Sequence, residues 1–258
     1  MRYRPAHAEM EQVARVVVDR TVLRALQAGP LRLVCPRRPG PPWVVTSSLG
    51  GGLVDGDAVA LEVEIVPGAT CVIASQASQK VYRGRTRQRT HVRIGEGGAA
   101  IVVPDPVVPF RGAAFVQDSS FELAASASLV AVDTLTAGRV AHGERWAATE
   151  IDSTLRVEVA GRPLVIDRVS LGADAPARMR RFDALATCVV IGAGAEQALA
   201  HSAAPAPGAS VVIAGSPIAN GAVIRIAGTR VELVTEAARD VVRDACAALG
   251  VDPWARRW

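Results

Sequence analysis

A strand–turn–strand pattern that returns along the chain limits the fold more than any other feature of this sequence. Apolar residues occupy every second position from Val59 to Ile65, a turn follows at Pro67 and Gly68, and the strand CVIAS comes next. The same unit returns at VRIGEGGAAIVV (92–103), FELAASASLVAV (121–132) and LRVEVAGRPLVI (155–166), with turn centres about 28 to 35 residues apart. The pattern predicts a mostly β fold built from repeated hairpins.

Repeated hairpins predict stacking into a β-helical (superhelical) scaffold, in which each unit covers its neighbour. The spacing is irregular, so a β-sandwich is the alternative. Segments 1–45 fit either strands or a strand with a short helix, whereas ALATCVVIGAG, VVIAG and AVIRIAGTRVELV predict further strands, with a short helix near AEQALAHSAA. We interpret residues 1–258 as a single domain, a length that can bury a sizeable core.

The strongest helix signal lies near the end of the chain, from Thr235 to Leu249. Thr235 can serve as the N-cap, and Gly250 follows as a stop. Helical spacing places one apolar face along Ala238, Val241, Val242, Ala245 and Leu249. The sequence therefore predicts a C-terminal helix after the β region.

Composition excludes several classes of protein. Half of the residues are hydrophobic, which excludes intrinsic disorder, and no apolar run approaches the ~18 residues of a membrane helix. The N-terminal segment lacks the apolar core of a signal peptide, so we expect a cytoplasmic protein without a membrane partner. The net charge is only +4, and the basic residues are spread without interleaved aromatic residues, so we expect no nucleic-acid partner.

The residues that usually form catalytic or metal sites do not follow any familiar spacing. The four cysteines are far apart, and the four histidines show no metal-binding motif, which argues against a disulfide scaffold and a closed zinc site. A G-x-S-x-G elbow, a Walker loop and a complete dinucleotide fingerprint are also missing from the sequence. These observations argue against a classical enzyme site and a preformed tight metal site, so we expect no tightly bound cofactor.

Three loop strings have unusual compositions. GGGLVDGD (50–57) joins glycines to two carboxylates, and SQASQKVYRG (75–84) contains Tyr82, Arg83 and Lys80, the one lysine of the chain. AGRVAHGERW (137–146) places charged and aromatic side chains in one loop, among them Arg139, His142, Glu144 and Trp146. Arg and Trp are enriched at interface hot spots, so this last loop predicts a partner contact, with a plain solvated loop as the alternative.

Two carboxylates fall on strand faces that are otherwise apolar. Asp133 is in phase with Leu129, Ala131 and Leu135, and Asp167 is in phase with Val165, Val169 and Leu171. A buried carboxylate costs several kcal/mol unless it is paired or can reach water or a cation. One interpretation is an ion pair with a nearby arginine such as Arg139 or Arg168, and the other is a polar internal passage lined by acids.

Five strings, taken in order, resemble those of the urease accessory protein family called UreD or UreH. They are GGGLVDGD, QASQKVYRG, PDPVVPFRGAAF, AGRVAHGERW and DSTLRVEVAGRPLVIDRVSL, which cover about residues 46 to 171. The resemblance departs at Asp55 and Gln79, where a small residue and Thr are more usual, and at Asp133 and Asp167, where Glu is common. An acid is retained at the last two positions.

The resemblance implies a β-helical, non-enzymatic scaffold that assists urease maturation. It implies binding to apo-urease and to a helical adaptor, accessory protein F, which recruits the GTPase accessory protein G. It further implies that nickel(II) passes in transit through the interior, and we assign Asp57, Asp133 and Asp167 to this passage. Lys80, Tyr82 and Arg83 are expected to fix a turn. The alternative is a β-helix enzyme that acts on an acidic polymer, with Lys80, Arg83 and the aspartates as its groove.

Overall fold

The computed structural model describes residues 11–20, 23–37, 39–202 and 208–255. Strands make up most of its secondary structure, and the longest helix lies near the C-terminus. The strands of the described segments are β1 (Gln12–Val18), β2 (Leu23–Leu26), β3 (Leu31–Val34), β4 (Trp43–Ser48), β5 (Ala58–Ile65), β6 (Thr70–Ser75), β7 (Gln79–Val81), β8 (Gly84–Ile94), β9 (Ala99–Val103), β10 (Val107–Pro109), β11 (Ala113–Leu123), β12 (Ser128–Thr136), β13 (Glu150–Val159), β14 (Arg162–Leu171), β15 (Ala184–Ile191), β16 (Val211–Ile218) and β17 (Gly221–Gly228). The prediction of a mostly β fold with a C-terminal helix is confirmed.

Two sheets face each other. Sheet A has the order β14-β13-β11-β8-β5-β1-β2, and sheet B has the order β16-β17-β15-β12-β9-β6-β4-β3. The short strands β7 and β10 pair with each other beside sheet B, and β10 also pairs with β12. From β4 to β13 the long strands alternate between the two sheets, so successive long strands of this region lie on opposite sides of one interior.

The hairpin prediction is wrong for three of the four repeated units. The two arms of each unit, β5 and β6, β8 and β9, and β11 and β12, belong to different sheets. We call one passage of the chain through sheet A and sheet B a coil. The strands β5, β6, β8 and β9 each pair in parallel with their counterpart one coil later. Ala58 lies opposite Arg87 and Thr70 lies opposite Ala99, a step of 29 residues in both sheets. The unit at 155–166 is a true hairpin, because β13 and β14 pair antiparallel.

The turns explain why the two arms separate. In the turn at Pro67 and Gly68, the Gly68 N–H donates to the carbonyl of Glu96 in the next coil, at 2.9 Å, and does not close a hairpin. The two arms of the turn can then enter different sheets, and their alternating apolar side chains meet across the interior. Ile65 from sheet A and Ile73 from sheet B belong to the same buried cluster.

Apolar packing is divided among three clusters. One fills the interior near the turns and includes Val63 and Leu129, and a second lies at the opposite end of the strands and includes Phe115 and Trp146. The third joins the outer face of sheet B to the helices, with Val72 and Val242 among its members. Burial of this much apolar surface is the main source of stability for such a fold.

The helices are α1 (Ala175–Met179), α2 (Ala195–Ala200) and α3 (Val231–Ala248). α2 confirms the short helix predicted near residue 195, although residues 203–204 of that string lie outside the described residues. α3 begins four residues before Thr235, so the N-cap prediction is wrong: Arg230 precedes the helix, and Val234 adds a buried turn to the apolar face. Within the described residues, no helix is both long and apolar enough to span a membrane.

Candidate functional site

A row of polar side chains crosses the interior between two of the apolar clusters. In sheet A, Gln88, Gln117 and Ser153 are register partners on adjacent strands. In sheet B, Thr46 pairs with Ser75, and Asp133 pairs with Thr187. Register in a sheet stacks equivalent positions of successive strands, so these polar residues run along the stack and at right angles to the strands.

A cavity of about 70 Å³ opens between the sheets at this row. Its walls include Thr46, Ser75, Gln88, Gln117 and Asp133. Apolar side chains, Leu61 and Phe121 among them, complete the walls. One water molecule needs about 10–15 Å³ of the space open to its centre, so the volume is sufficient for several beside the polar side chains. The cavity can therefore accommodate a small hydrated ion.

Asp133 is the acidic centre of the cavity. Its Oδ1 accepts a hydrogen bond from Gln117 Nε2 at 2.9 Å, and its Oδ2 accepts one from Ser153 Oγ at 3.1 Å. Burial raises the pKa of the Asp133 carboxyl, against the two hydrogen bonds, which lower it. The side chain lies deep among protein atoms, and the surface that it keeps faces the cavity. Among the described residues, no basic side chain pairs with it.

Asp167 bridges the sheets from the opposite side. It lies on β14 of sheet A, and its Oδ2 accepts a hydrogen bond from Thr187 Oγ1 at 2.9 Å. Its Oδ1 accepts a hydrogen bond from Arg225 Nε of β17 at 3.1 Å. The Asp167 side chain is 11% exposed, whereas that of Arg225 is 53% exposed, so this pair stands where the polar row meets solvent.

Neither arginine proposed from the sequence pairs with these aspartates. Arg139 pairs with Glu144, and Arg168 pairs with Asp152 on the outer face of sheet A. The ion-pair interpretation is correct for Asp167, with Arg225 as the partner, and wrong for Asp133. Both aspartates point between the sheets, as the strand phase predicted. The other interpretation, a polar passage lined by acids, stays a prediction.

Asp57 occupies a different place from the other two aspartates. Its Oδ2 accepts the backbone N–H of Val54 at 2.8 Å and holds the turn that leads into β5. It is not among the residues that line the cavity. The sequence expectation that Asp57 lines the same interior is therefore corrected, because a backbone donor nearby captures its carboxylate.

Sequence reasoning missed Gln117, Ser153, Thr187 and Arg225. The 29-residue step could have found Gln117, which follows Gln88 by that step. In sheet B, Thr46 and Ser75 are separated by the same step, and Asp133 follows after two more. The intervening position is Pro104, and its neighbour Asp105 exchanges hydrogen bonds with Ser75, at 2.9 and 2.7 Å.

Lys80, Tyr82 and Arg83 lie at a corner of the coils, outside the cavity. The Lys80 carbonyl accepts the N–H of Leu53, and the Tyr82 N–H donates to the Leu53 carbonyl, both at 2.9 Å. Gly52 allows this approach, because a Cβ there would come within 2.6 Å of the Lys80 carbonyl oxygen and of the Tyr82 ring. Lys80 and Arg83 are not among the residues that line the cavity beside Asp133.

The loop from Arg139 to Trp146 is held by its own side chains. Arg139 pairs with Glu144, whose pKa this hydrogen bond lowers, and Glu144 also accepts the N–H of Arg111 at 3.3 Å. Trp146 is only 3% exposed, and its Nε1 donates to the Phe182 carbonyl at 2.9 Å. Trp146 therefore anchors the loop from inside, and the predicted partner contact of the loop would have to be made by its exposed residues. His142 is exposed.

In the ranges that the structure covers, no three His, Cys, Asp or Glu side chains converge in a way that could hold a metal ion. Cys71, Cys188 and Cys246 are buried, and burial raises the pKa of each thiol, to about 12 for Cys188 and Cys246. A buried thiol with a raised pKa is a poor metal ligand.

Comparison with known proteins identifies the family of this chain. A family model described as UreD urease accessory protein matches residues 6–258. The chain belongs to the UreD family. A urease accessory protein UreD of Sorangium cellulosum is 43% identical over 96% of this chain and 83% of its own length. Another, of Anaeromyxobacter sp., is 37% identical over 97% of this chain and 89% of its own length.

A plant protein is also similar. Urease accessory protein D of Arabidopsis thaliana is 32% identical over 69% of this chain and 67% of its own length. The family match extends well beyond residues 46 to 171, where the sequence resemblance was carried, and includes the helical C-terminal region. The UreD family assignment made from the loop strings is confirmed.

Proposed function

We propose that this UreD-family chain acts in urease maturation as a non-catalytic scaffold that binds apo-urease and accessory proteins F and G. Nickel(II) passes through the cavity between the sheets on its way to the urease active site. The passage needs no tightly bound cofactor, because nickel is the cargo. Support comes from the family, whose members are named urease accessory protein, and from the Asp133 carboxylate at the cavity described above.

The observation that carries the proposal is the Asp133 carboxylate, which faces the cavity without a basic partner among the described residues. Such a group attracts a cation, because its own burial is otherwise uncompensated. Nickel(II) accepts oxygen and nitrogen donors, and transit requires sites that bind weakly enough to release. One carboxylate surrounded by amide and hydroxyl groups meets that requirement better than a closed cage of His and Cys.

The polar row extends from the cavity in two directions. Towards β14 and β17 it reaches Asp167 and Arg225, where an incoming cation competes with the guanidinium. Towards the coil corner, Thr86 Oγ1 is buried with no hydrogen-bond partner among the described residues, on the inward face of β8 two positions from Gln88. Thr86 immediately precedes Arg87 in the chain, and the Arg87 N–H donates a hydrogen bond to the Asp57 carbonyl. Asp57 is assigned to the entrance on this side and not to the cavity wall.

Partner binding is assigned to the exposed part of the Arg139–Trp146 loop, where His142 lies, and to the outward face of α3. That face of α3 carries Glu236, Arg239 and Asp240, whereas its apolar face is packed on sheet B. Charged, solvent-facing groups can steer a partner without exposing the core.

The test uses Asp133→Asn and Asp133→Ala, each co-expressed with the urease subunits and accessory proteins F and G. Gel filtration gives the yield of the complex, and metal analysis gives nickel per recovered urease. Nickel should fall about tenfold at normal complex yield, which equals about 1.4 kcal/mol in the barrier. Asp118→Asn is the matched control, because Asp118 is a carboxylate of the outer face of sheet A, paired with Arg156.

Each result has a distinct meaning. Normal yield with low nickel for the Asp133 variants alone supports the passage. Low yield with normal nickel per recovered complex assigns Asp133 to folding. Normal values for both quantities overturn the passage.

A further inference from the structure

Three successive coils place an arginine at the same corner of the stack. Val108 of β10 lies opposite Lys80 of β7, so the corner pairs Tyr82-Arg83 and Phe110-Arg111 follow at equivalent positions. The parallel contact of Val107 with Leu135 places Arg139 at the corner of the next coil. The result is a line of three guanidinium groups. We call this surface, with the aromatic and apolar side chains beside the arginines, the arginine ridge. Its residues are Tyr82, Arg83, Phe110, Arg111, Arg139 and Val140.

The ridge side chains are held against neighbouring coils. The stem of Arg83 lies over Gly112, where an added Cβ would be 3.1 Å from Arg83 Cγ. Arg111 Nη2 donates to the Gly143 carbonyl at 2.9 Å, and the Arg139 guanidinium lies 4.1 Å from the centre of the Phe110 ring. The ridge is therefore preorganised, which reduces the entropy lost when a partner binds.

Positive charge on the ridge is only partly neutralised. Glu144 pairs with Arg139, whereas Arg83 and Arg111 form no ion pair with a carboxylate of the described residues. The nearby carboxylates of Asp55 and Asp57 accept backbone N–H groups, from Arg85 at 2.7 Å and from Val54 at 2.8 Å. Val140 of the ridge is 43% exposed, and Val54, which follows the Leu53 bonded to Tyr82, is 53% exposed, so apolar groups accompany the arginines.

We infer that the arginine ridge binds an acidic, partly apolar helical segment of a partner protein. The inference rests on the scaffold function proposed above and names the chemistry of one partner surface. Neighbouring coils repeat at about 4.7–4.9 Å, the spacing of paired strands. Glutamates four residues apart on a helix lie about 5–6 Å apart, so successive acidic turns match successive arginines.

Nucleic acid fits the ridge less well. Single strands bind by stacking bases on free aromatic faces. Here Tyr82 meets Phe110 edge to face at 5.1 Å, and Arg139 covers the Phe110 ring, so these rings are engaged within the ridge. Apolar Val54 and Val140 beside the arginines also suit a protein segment better than a phosphate backbone.

Cross-linking can test direct contact, because Lys80 is the one lysine of the chain. Arg83→Lys with Arg111→Lys keeps both charges and introduces amines that a zero-length carbodiimide couples only to carboxylates in contact. In the complex co-expressed with the urease subunits and accessory proteins F and G, we expect cross-links from both positions to Asp or Glu of one helical segment. Arg168→Lys, beside Asp152, is the control and should give a cross-link within the chain. The absence of intermolecular cross-links from positions 83 and 111 overturns the inference.

A binding measurement separates this inference from the scaffold proposal. The probe is a fluorescein-labelled helical peptide that repeats Glu-Ala-Ala-Leu, titrated against the chain alone. Arg83→Glu with Arg111→Glu should weaken binding about tenfold or more, and Arg24→Glu, an exposed arginine of β2, should not. Equal affinities, or stronger binding of a single-stranded oligonucleotide than of the peptide, overturn the ridge. If the unaltered chain binds the peptide but forms no complex with the urease subunits and accessory proteins F and G, the scaffold proposal is overturned and the ridge is not.

Discussion

The corner loop around Trp146 and the cavity around Asp133 both bury polar groups, but they satisfy them differently. In the loop, Glu144 has a guanidinium partner and Trp146 Nε1 has a carbonyl acceptor. In the cavity, Asp133 has two neutral donors and no paired base among the described residues, and its carboxyl pKa is raised. The loop is arranged for rigidity, whereas the cavity retains a charge that stability alone does not favour. Changes at the two places should therefore separate stability from the proposed passage of nickel.

The largest loss of stability is expected for Trp146→Ala. The change removes a buried aromatic ring and a hydrogen bond to Phe182, so the free energy of unfolding should fall by about 3–5 kcal/mol. Chemical denaturation measures it. Trp146→Phe keeps most of the ring and should cost about 1 kcal/mol, the value of the lost hydrogen bond. An alanine variant as stable as the unaltered chain would contradict the anchoring role of the loop.

Asp167→Ala should cost less, about 1–2 kcal/mol, because the Arg225 that it leaves is half exposed and can be hydrated. A fully buried arginine left without its partner would cost ~3–5 kcal/mol. Equilibrium urea unfolding distinguishes the two ranges. A loss in the higher range would show that the mouth of the polar row is drier than the structure indicates.

Asp133→Asn should raise stability at neutral pH by about 1 kcal/mol, because the amide keeps the contact with Gln117 and removes a buried charge. The folded pKa of Asp133 is raised above the unfolded value, so the carboxylate destabilises the fold only above that unfolded value, about 3.9. The advantage of the variant should therefore be absent below this pH and grow as pH rises through the folded pKa. Unfolding curves from pH 3 to pH 8 measure it. An advantage that shrinks with rising pH would reverse this assignment.

The smallest effect is expected for Arg168→Ala, which breaks the pair with Asp152 on the outer face of sheet A. Arg168 is 62% exposed, so the loss of stability in equilibrium urea unfolding should be smaller than that of Asp167→Ala and close to zero. This hydrogen bond also lowers the Asp152 pKa, so the small contribution should vanish as pH falls below about 4. A loss of stability as large as that of Asp167→Ala would contradict the expected difference between the outer face of sheet A and the interior.

The sequence predicted the strands, their spacing and the direction of two side chains, but not how the strands pair. Alternation from Val59 to Ile65 indicates one buried face, and that face is the same whether a strand pairs with the next strand or with one a coil later. Asp133 and Asp167 were found because strand phase is a local property. Arg225 was missed because its contact with Asp167 spans 58 residues. Trp146 was misjudged because loop composition does not report burial.

The register of the stack also governs where the chain can change in length. β8 and β11 align with a step of 29 residues, as Gly84 opposite Ala113 shows, whereas Ala114 of β11 aligns with Glu150 of β13 after 36. The extra residues fall in the segment between β12 and β13, which contains the Arg139–Trp146 loop, and the strands on either side stay in phase. One residue added inside β8 would instead turn Gln88 and its neighbours outward and break the polar row. Insertions and deletions are therefore confined to the corners and turns, where a coil can acquire a new binding loop without altering the interior.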